Sequence, residues 1–243
     1  MNIIIPLTKL EFINYSGYSQ PVLLIEENGY PLINYFINNL KQIDGFKNYV
    51  FIVSMEDCLN HKIDKVIKVI LPEAKIKILN DKTKGAPCSI LMAIDMIDKT
   101  DQTIILNADQ FFDFDLNKKL KQFIDLNSDA GVFTFEAIHP RWSYIIFDED
   151  NNEVIQAEEK NPISKNAIAG FYYFKNFELF FKGSLSAILD ESFTNDQLYT
   201  SSVINKIILD NKKVHNIKIE NSKYFSFYSK SRLEEFKKNI TNV

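Results

Sequence analysis

The sequence predicts a single α/β domain over residues 1–243, with a mostly parallel central sheet that helices cover and a mixed C-terminal half. Two patterns predict this fold. In the first half, short apolar runs alternate with segments of helical apolar spacing, which is typical of a parallel sheet buried under helices. Closely spaced, aromatic-rich strands then replace this alternation. Because no repeat, low-complexity linker or Pro/Ser-rich boundary divides the chain, we expect one continuous core.

The first half supplies four strand–helix units. Short apolar runs are typical of parallel strands buried on both faces, and they predict strands over residues 2–6, 49–53, 75–79 and 103–106. Pro31 and Pro87 suit the first turn of a helix, where the missing N–H has no partner to lose. The apolar spacing predicts helices over residues 30–40, 57–70, 87–97 and 116–126.

The second half mixes the two kinds of element. Its aromatic-rich runs predict strands over residues 130–138, 144–147, 154–157, 168–174, 214–219 and 223–227. Helical spacing returns in segments that predict helices over residues 177–189, 198–209 and 231–240. The last helix is polar, so we expect it at the surface.

Composition and charge exclude several classes of function. The 46% hydrophobic and 25% charged residues are typical of a soluble globular chain. A net charge of −4 argues against a nucleic-acid-binding face, which needs clustered Lys and Arg. No apolar run reaches the ~18 residues that span a membrane, and no signal peptide is evident. Cys58 and Cys88 lack metal-ligand spacing and are predicted to be free thiols. We therefore expect a cytoplasmic protein with a small-molecule ligand, no nucleic-acid partner and no membrane insertion, and its abundant Phe and Tyr leave a homo-oligomer open.

The loop after the fourth strand is the first candidate site. Ligands of α/β sheets bind outside the carboxyl ends of the strands, and Asn107 and Asp109 follow the strand at 103–106. Asp109 is a candidate Mg²⁺ ligand, because Mg²⁺ bound to phosphates needs one or two carboxylates; a turn or cap role is the alternative. Asp113 and Asp115 form a D-x-D pair that could hold a metal–diphosphate. For Asp115 we favour a cap on the helix beginning at residue 116.

Two further loops carry candidate ligands. Gly85 precedes a predicted helix, and such a turn offers free N–H groups to an anion or to the edge of a base. Lys160 follows Glu158 and Glu159, and this arrangement taken alone is typical of a solvated ion pair. Neither loop is specific by itself.

Taken together and in this order, the segments resemble the sugar nucleotidyltransferase (sugar-1-phosphate nucleotidylyltransferase) family, particularly bacterial members found with capsule and lipopolysaccharide genes. The resemblance extends to about residue 205 and is carried by residues 2–6, 28–33, 84–86, 106–110, 139–144, 157–164 and 166–174. It implies a nucleotide-binding fold of the GT-A type. It also implies a reaction in which a sugar phosphate attacks the α-phosphate of an NTP and pyrophosphate leaves.

The resemblance also assigns expected roles to single residues. Asp109, as the Mg²⁺ ligand, and Lys160 are the expected catalytic residues, and Gly85 is expected against the base. Glu159, Lys160 and Gly170 are expected on the sugar-phosphate side. The expected substrate-binding residues are Lys9, Gly85, Ala86, Asn107, Glu159 and Gly170.

The chain departs from the family pattern directly after the first strand. The family places a G-x-G-x-R loop there and a Lys further on, which bind and neutralise the triphosphate. Here Lys9 and Glu11 stand at the glycine positions, Ile13 at the Arg and Val22 at the Lys. Lys9 is the candidate to replace part of the lost charge. Ser226 stands where a second metal-binding carboxylate is expected.

Three functions therefore remain open from the sequence. The first is nucleotidyl transfer from an NTP to a sugar phosphate. The second is a catalytically reduced homologue that binds a sugar phosphate or nucleotide-sugar as a regulatory or partner subunit. The third is a GT-A glycosyltransferase that uses Asp115 and a nucleotide-sugar donor.

Overall fold

A computed structural model describes residues 1–15 and 18–240 of the chain. The α-helices are α1 Leu32–Lys41, α2 Met55–His61, α3 Ile63–Ile70, α4 Ala86–Leu91, α5 Leu116–Asp125, α6 Phe177–Leu189, α7 Thr200–Leu209 and α8 Lys230–Ile240. The strands are β1 Asn2–Leu7, β2 Phe12–Tyr15, β3 Tyr18–Pro21, β4 Glu26–Glu27, β5 Tyr30–Pro31, β6 Asn48–Ser54, β7 Lys75–Leu79, β8 Thr103–Leu106, β9 Gln110–Phe112, β10 Ala130–Glu136, β11 Ser143–Phe147, β12 Val154–Glu159, β13 Asn166–Phe174, β14 Val214–Lys218 and β15 Tyr224–Ser226.

A nine-stranded mixed sheet forms the centre of the molecule. Strands β8, β1, β6 and β7 lie side by side and parallel, as the alternation in the first half predicts. The sheet continues from β8 through antiparallel β13 to the β11–β12 hairpin. Strand β10 also pairs with β13 and carries β14 at its other side. The α/β fold with a mixed C-terminal half is thereby confirmed.

Two apolar layers enclose the sheet. Successive side chains of a strand point to opposite faces, so Ile3 and Ile5 of β1 lie in one layer and Ile4 in the other, all fully buried. The first layer holds residues of α1, α2, α3, α5 and α8. The second holds residues of α4, α6 and α7. The carboxyl ends of β1 and β8 are thus fixed between two helical layers.

Two predicted helices differ from the structure: one is interrupted and the other ends early. The predicted helix over 57–70 is two helices, because Lys62 takes a left-handed conformation with φ of 54° and separates α2 from α3. The predicted helix over 87–97 ends at Leu91 and is followed by a short 3₁₀ turn. There the side-chain amide of Asn48 donates to the carbonyl of Met96 at 2.9 Å, which turns the chain out of the helical path.

The state of the two cysteines and the hydropathy of the helices also bear on the sequence-based expectations. Cys58 is buried, Cys88 is half-buried, and both are free thiols, as predicted. Among the described residues, no helix combines the length and the hydropathy that crossing a bilayer requires.

Candidate functional site

A cleft of about 640 Å³ opens at the carboxyl ends of β1 and β8. Its walls come from the segment after β1, the turn after β8, strand β13 and the paired ends of β11 and β12. Seven predicted site residues line it, namely Gly85, Ala86, Asn107, Asp109, Glu159, Lys160 and Gly170. Residues separated by more than 80 positions in sequence therefore meet in one concave site, where ligands of such sheets bind.

The turn after β8 holds Asp109 at the floor of the cleft. The backbone N–H of Asn107 donates to the carbonyl of Gly170 at 3.0 Å, and the Gln110 side chain donates to the same carbonyl at 3.0 Å. The carbonyl of Asp109 accepts from the N–H of Phe227 at 2.8 Å. Because every one of these contacts uses backbone or buried amide groups, the carboxylate is left to face the cleft.

The environment of Asp109 favours a cation. Burial raises the pKa of this carboxyl, the charge of Glu11 raises it further, and Arg141 opposes both effects. Within the described part of the chain, no other side chain donates a hydrogen bond to Asp109. A half-buried carboxylate that a backbone N–H, but no described side chain, contacts fits Mg²⁺ held by one or two carboxylates and by substrate phosphates. It does not form an all-protein cage, since the described residues contain no cluster of three or more His, Cys, Asp or Glu side chains that could hold a metal.

The expected second metal position carries no carboxylate. Strand β15 pairs with β9, and this register places Ser226 opposite Gln110, next to Asp109 in the chain. Ser226 is buried. Glu11 also lines the cleft, and its charge acts on Asp109, so it is a candidate for the second acidic group.

Gly170 lies against the Asp109 turn and has a conformation that favours glycine. Its φ is +57°, and a Cβ there would lie 2.7 Å from the side-chain nitrogen of Asn107. A larger residue would therefore displace Asn107 from the cleft wall.

Gly85 has a structural requirement of its own. Its φ is +101°, and a Cβ there would lie 2.0 Å from the carbonyl oxygen of Leu198. The N–H of Leu198 donates to the carbonyl of Lys84 at 2.8 Å, so two backbones meet at this point. The glycine that the sequence suggested for base contact is fixed by packing against Leu198, and with Ala86 it also lines the cleft.

The β11–β12 hairpin presents Glu159 to the cleft. Glu159 pairs with Ser143 across the two strands, and its carboxylate accepts hydrogen bonds from the hydroxyls of Ser143 and Ser201. Burial raises the pKa of Glu159, while the two hydroxyls and Lys160 act in the opposite direction. Glu159 is thus held in place by two serines instead of a solvated ion pair.

Lys160 follows directly and is held by its backbone and its side chain. Its φ is +56°, and its N–H donates to the carbonyl of Trp142 at 3.0 Å. The Lys160 ammonium donates to the hydroxyl of Tyr199 at 2.6 Å and lies 4.7 Å from the centre of that ring. The left-handed backbone turns this cation from the strand towards the cleft.

The segment after β1, residues 8–11, is called here the β1 loop. Leu10 is 1% exposed, and its N–H donates to the Asp57 carboxylate at 3.2 Å. Lys9 lies outside the cleft, in a neighbouring one of about 480 Å³, and its closest carboxylate is Glu11 at 3.9 Å. Of the predicted substrate-binding residues, Lys9 is the one that the structure does not bring to the common site, because Leu10 anchors the loop in the core.

The D-x-D pair has structural roles. Asp115 accepts from the backbone N–H of Lys118 at 3.1 Å and caps α5, as predicted. Asp113 forms an ion pair with Lys223 at 2.8 Å. Neither residue lines the cleft, which removes the geometric support for the glycosyltransferase alternative.

Several cleft residues escaped the sequence reasoning. Arg141, Trp142, Tyr199 and Tyr228 line the cleft with the predicted residues. Composition carried a usable signal for one of them, because the chain uses Lys almost throughout and has Arg only at positions 141 and 232. Arg is the cation suited to stacking and bidentate anion contacts, so a rare Arg in a matched segment is informative.

The sequence profile of the Nucleotidyl transferase family matches residues 8–220. The chain belongs to this family. The match covers both halves of the cleft and ends before β15 and α8, so Tyr228 comes from outside the matched region. A comparison with curated protein sequences finds no match.

Solved structures share the fold of this nucleotidyltransferase family member. A nucleoside-diphosphate-sugar pyrophosphorylase from Vibrio cholerae RC9 is similar with a TM-score of 0.80 at 20% identity, covering 98% of this chain and 100% of its own. An inositol-1-phosphate CTP transferase from T. maritima is similar with a TM-score of 0.73 at 14% identity, covering 99% and 94%. HddC from Yersinia pseudotuberculosis, complexed with GMP-PN, has a TM-score of 0.66 at 16% identity, covering 98% and 99%. At these identities the likeness concerns the fold.

Proposed function

We propose that this cleft transfers a nucleotidyl group from an NTP to a sugar phosphate and releases pyrophosphate, in bacterial surface-polysaccharide biosynthesis. The observation that carries the proposal is that Asp109 and Lys160 line one cleft at the carboxyl end of the sheet. Transfer at a phosphorus atom depends on positioning and charge neutralisation more than on covalent chemistry. An acidic floor for a metal and a cationic wall for an acceptor phosphate meet that need.

Each residue has a defined task in this proposal. Lys160, held by Tyr199 and by the carbonyl of Trp142, contacts the phosphate of the sugar. Glu159, fixed by Ser143 and Ser201, accepts hydrogen bonds from sugar hydroxyls.

Asp109 would hold Mg²⁺, and Glu11, a further carboxylate that lines the cleft, would be available as a second ligand. The ion would supply charge neutralisation for the triphosphate. Gly85 and Ala86 would lie beside the base.

The β1 loop favours a second function, in which the chain binds a sugar phosphate or nucleotide-sugar as a regulatory or partner subunit. A triphosphate needs free backbone N–H groups or cations at this place. Here the N–H of Leu10 is bonded to Asp57, and Glu11 brings a negative charge into the cleft. Lys9, which could offset that charge, points into the neighbouring cleft.

A pyrophosphate-release assay separates the two functions. The chain is incubated with Mg²⁺, each of the four common NTPs and a panel of sugar 1-phosphates. For nucleotidyl transfer we expect pyrophosphate release that falls at least about 100-fold in Asp109→Asn and strongly in Lys160→Gln. Asp115→Asn is the matched control, since Asp115 caps α5 away from the cleft, and it should retain activity.

Binding is measured in parallel by thermal shift with the same sugar phosphates. Stabilisation that depends on Lys160, without pyrophosphate release from any NTP, would reject transfer and support the regulatory or partner function. Release that persists in Asp109→Asn would contradict the assigned site.

A further inference from the structure

The cleft contains more negative than positive charge. Among the described residues, its lining includes three carboxylates, Glu11, Asp109 and Glu159, and two cations, Arg141 and Lys160. A phosphate monoester carries close to two negative charges near neutral pH. Among the described lining residues, Arg141 and Lys160 are the two groups that can neutralise part of this charge, so a phosphate ligand is expected to use both.

The guanidinium of Arg141 is held in position and remains available. It lies 3.7 Å from the centre of the Tyr228 ring and 5.9 Å from that of Trp142. Stacking of this kind orients the planar group and leaves its N–H donors at the edge. Among residues 1–15 and 18–240, no carboxylate lies within 4.0 Å of it, whereas Arg232 is paired with Glu235 at 2.7 Å.

Arg141 precedes β11 and Lys160 follows β12, so both lie at the same end of the β11–β12 hairpin. Ser143 at the start of β11 pairs with Glu159 at the end of β12, so the residues just outside this pair lie at one end of the hairpin. The hydrogen bond from the Lys160 N–H to the Trp142 carbonyl ties the two flanking segments together. We call residues 141–143 and 158–160 the hairpin end; it carries both cations that line the described part of the cleft.

The ring beneath Arg141 comes from the C-terminal segment. Tyr228 lies beyond the part of the chain that matches the family profile. It contacts Trp142 edge-on, with ring centres 5.5 Å apart. The segment that leads into the C-terminal helix therefore supplies the ring on which a cleft cation stacks.

We propose that Arg141 is a second phosphate-binding residue, which acts with Lys160 as a two-cation site for a phosphate monoester and is positioned by Tyr228. This inference rests on the proposed function for the sugar-phosphate ligand alone and is independent of nucleotidyl transfer. It assigns to the hairpin end the charge neutralisation that the β1 loop lacks.

The test uses the single tryptophan of the chain, Trp142, which lines the cleft beside Arg141. Inorganic phosphate is titrated into the full chain while Trp142 fluorescence is recorded, with sodium chloride of equal ionic strength as the reference. Losing charged hydrogen bonds to an anion corresponds to roughly a 10- to 100-fold weaker Kd. We expect that loss in Arg141→Gln and in Lys160→Gln, and partial recovery in Arg141→Lys, which keeps the charge but not the bidentate geometry.

Variants at Tyr228 distinguish the positioning of Arg141 by the ring from a general loss of folding. Tyr228→Leu removes the ring and should weaken phosphate binding, whereas Tyr228→Phe keeps the ring and should bind like the unaltered chain. Lys182→Gln is the charge-matched control, because Lys182 pairs with Glu178 on α6 and does not line the cleft. Circular dichroism confirms folding of each variant.

The outcomes distinguish this inference from the proposed function. An unchanged Kd in Arg141→Gln, with a weakened Kd in Lys160→Gln, overturns the two-cation site and leaves the proposed function standing. Arg141-dependent phosphate binding without pyrophosphate release from any NTP supports the two-cation site and rejects transfer. If phosphate changes the fluorescence no more than sodium chloride does, the ligand assignment on which both rest is overturned.

Discussion

The β1 loop and the hairpin end line the same cleft, yet they use their polar groups in opposite ways. Backbone groups of the β1 loop form hydrogen bonds within the protein: the Leu10 N–H donates to the Asp57 carboxylate, and the Glu11 carbonyl accepts from the Val22 N–H at 2.8 Å. The hairpin end uses backbone bonds to hold side chains that point outward, among them Lys160. The polar groups of the β1 loop are therefore satisfied within the protein, whereas the hairpin end presents a cation to the cleft.

The difference shows that the two halves of a site in one fold are anchored separately. The β1 loop is held by Leu10 in the core and by α2, which contributes Asp57. The hairpin end is held by strand pairing and by hydroxyls from β11 and α7. Loss of an anion-binding loop on one side therefore leaves the geometry of the other side intact.

Truncating Leu10 should have the largest effect. Leu10→Ala removes a side chain that is 1% exposed, and emptying such a site costs about 3 kcal/mol of unfolding free energy. Urea denaturation followed by far-UV circular dichroism measures it. Lys9→Ala, one residue away and highly exposed, should change stability very little. A loss below about 1 kcal/mol in Leu10→Ala would mean that the loop is not anchored in the core.

Removing the partner of the Leu10 N–H should have the next largest effect. Asp57→Ala leaves a buried N–H without an acceptor and removes the bond from the Ser54 hydroxyl, at 2.7 Å. We expect a loss of about 2 kcal/mol in the same denaturation experiment. Glu56→Ala is the matched control on the exposed side of the same turn. Equal stability of the two variants would contradict the conclusion that Asp57 holds the β1 loop in place.

The hairpin end should show a smaller effect, and one that depends on pH. Because burial raises the pKa of Glu159 above that of the unfolded chain, the folded state binds this proton more tightly. Ionisation then lowers stability as the pH rises from the unfolded pKa through the folded one. Glu159→Gln removes the charge, so its melting temperature should exceed that of the unaltered chain by a few degrees above about pH 7. The difference should vanish near about pH 4, and a difference that grows towards acid would contradict this assignment.

Neutralising Glu11 should have the smallest effect. Its side chain is 63% exposed, so its repulsion of a bound anion is screened by water and is worth less than about 1 kcal/mol. We expect Glu11→Gln to tighten the Kd of inorganic phosphate by at most roughly fivefold in the Trp142 titration. Glu56→Gln, outside this cleft, is the control. Weaker binding in Glu11→Gln would show that Glu11 is not a repulsive neighbour of the ligand.

Much of the fold follows from local sequence patterns. Strands β7 and β8 and helix α6 have the bounds that the sequence predicts, and the four residues of β8 are all buried, as its unbroken apolar run predicts. The break at Lys62 was missed because a lysine in a left-handed conformation has no local signature. The place of Asp109 at the carboxyl end of β8 was predictable from the strand before it, whereas Lys160 follows β12, which runs antiparallel to β8 and reaches the cleft through the β11–β12 hairpin.

The remaining site residues depend on contacts that no local pattern encodes. Lys9 was expected in the cleft, but the burial of its neighbour Leu10 decides where it points. The role of Arg141 was missed because it depends on Tyr228, which comes from near the other end of the chain. The ring and the cation are brought together by tertiary packing alone.

The burial of Leu10 also determines how this chain could be engineered. Glycines at positions 9 and 11 would replace two exposed side chains and would leave the backbone where Asp57 holds it. Freeing that backbone requires Leu10 to leave the core, a step that costs about 3 kcal/mol before any phosphate can be bound. Variants that approach a glycine-rich loop by single substitutions therefore lose unfolding free energy before they gain phosphate binding. Replacing the whole loop at once, together with a new partner for Asp57, avoids these unstable intermediates.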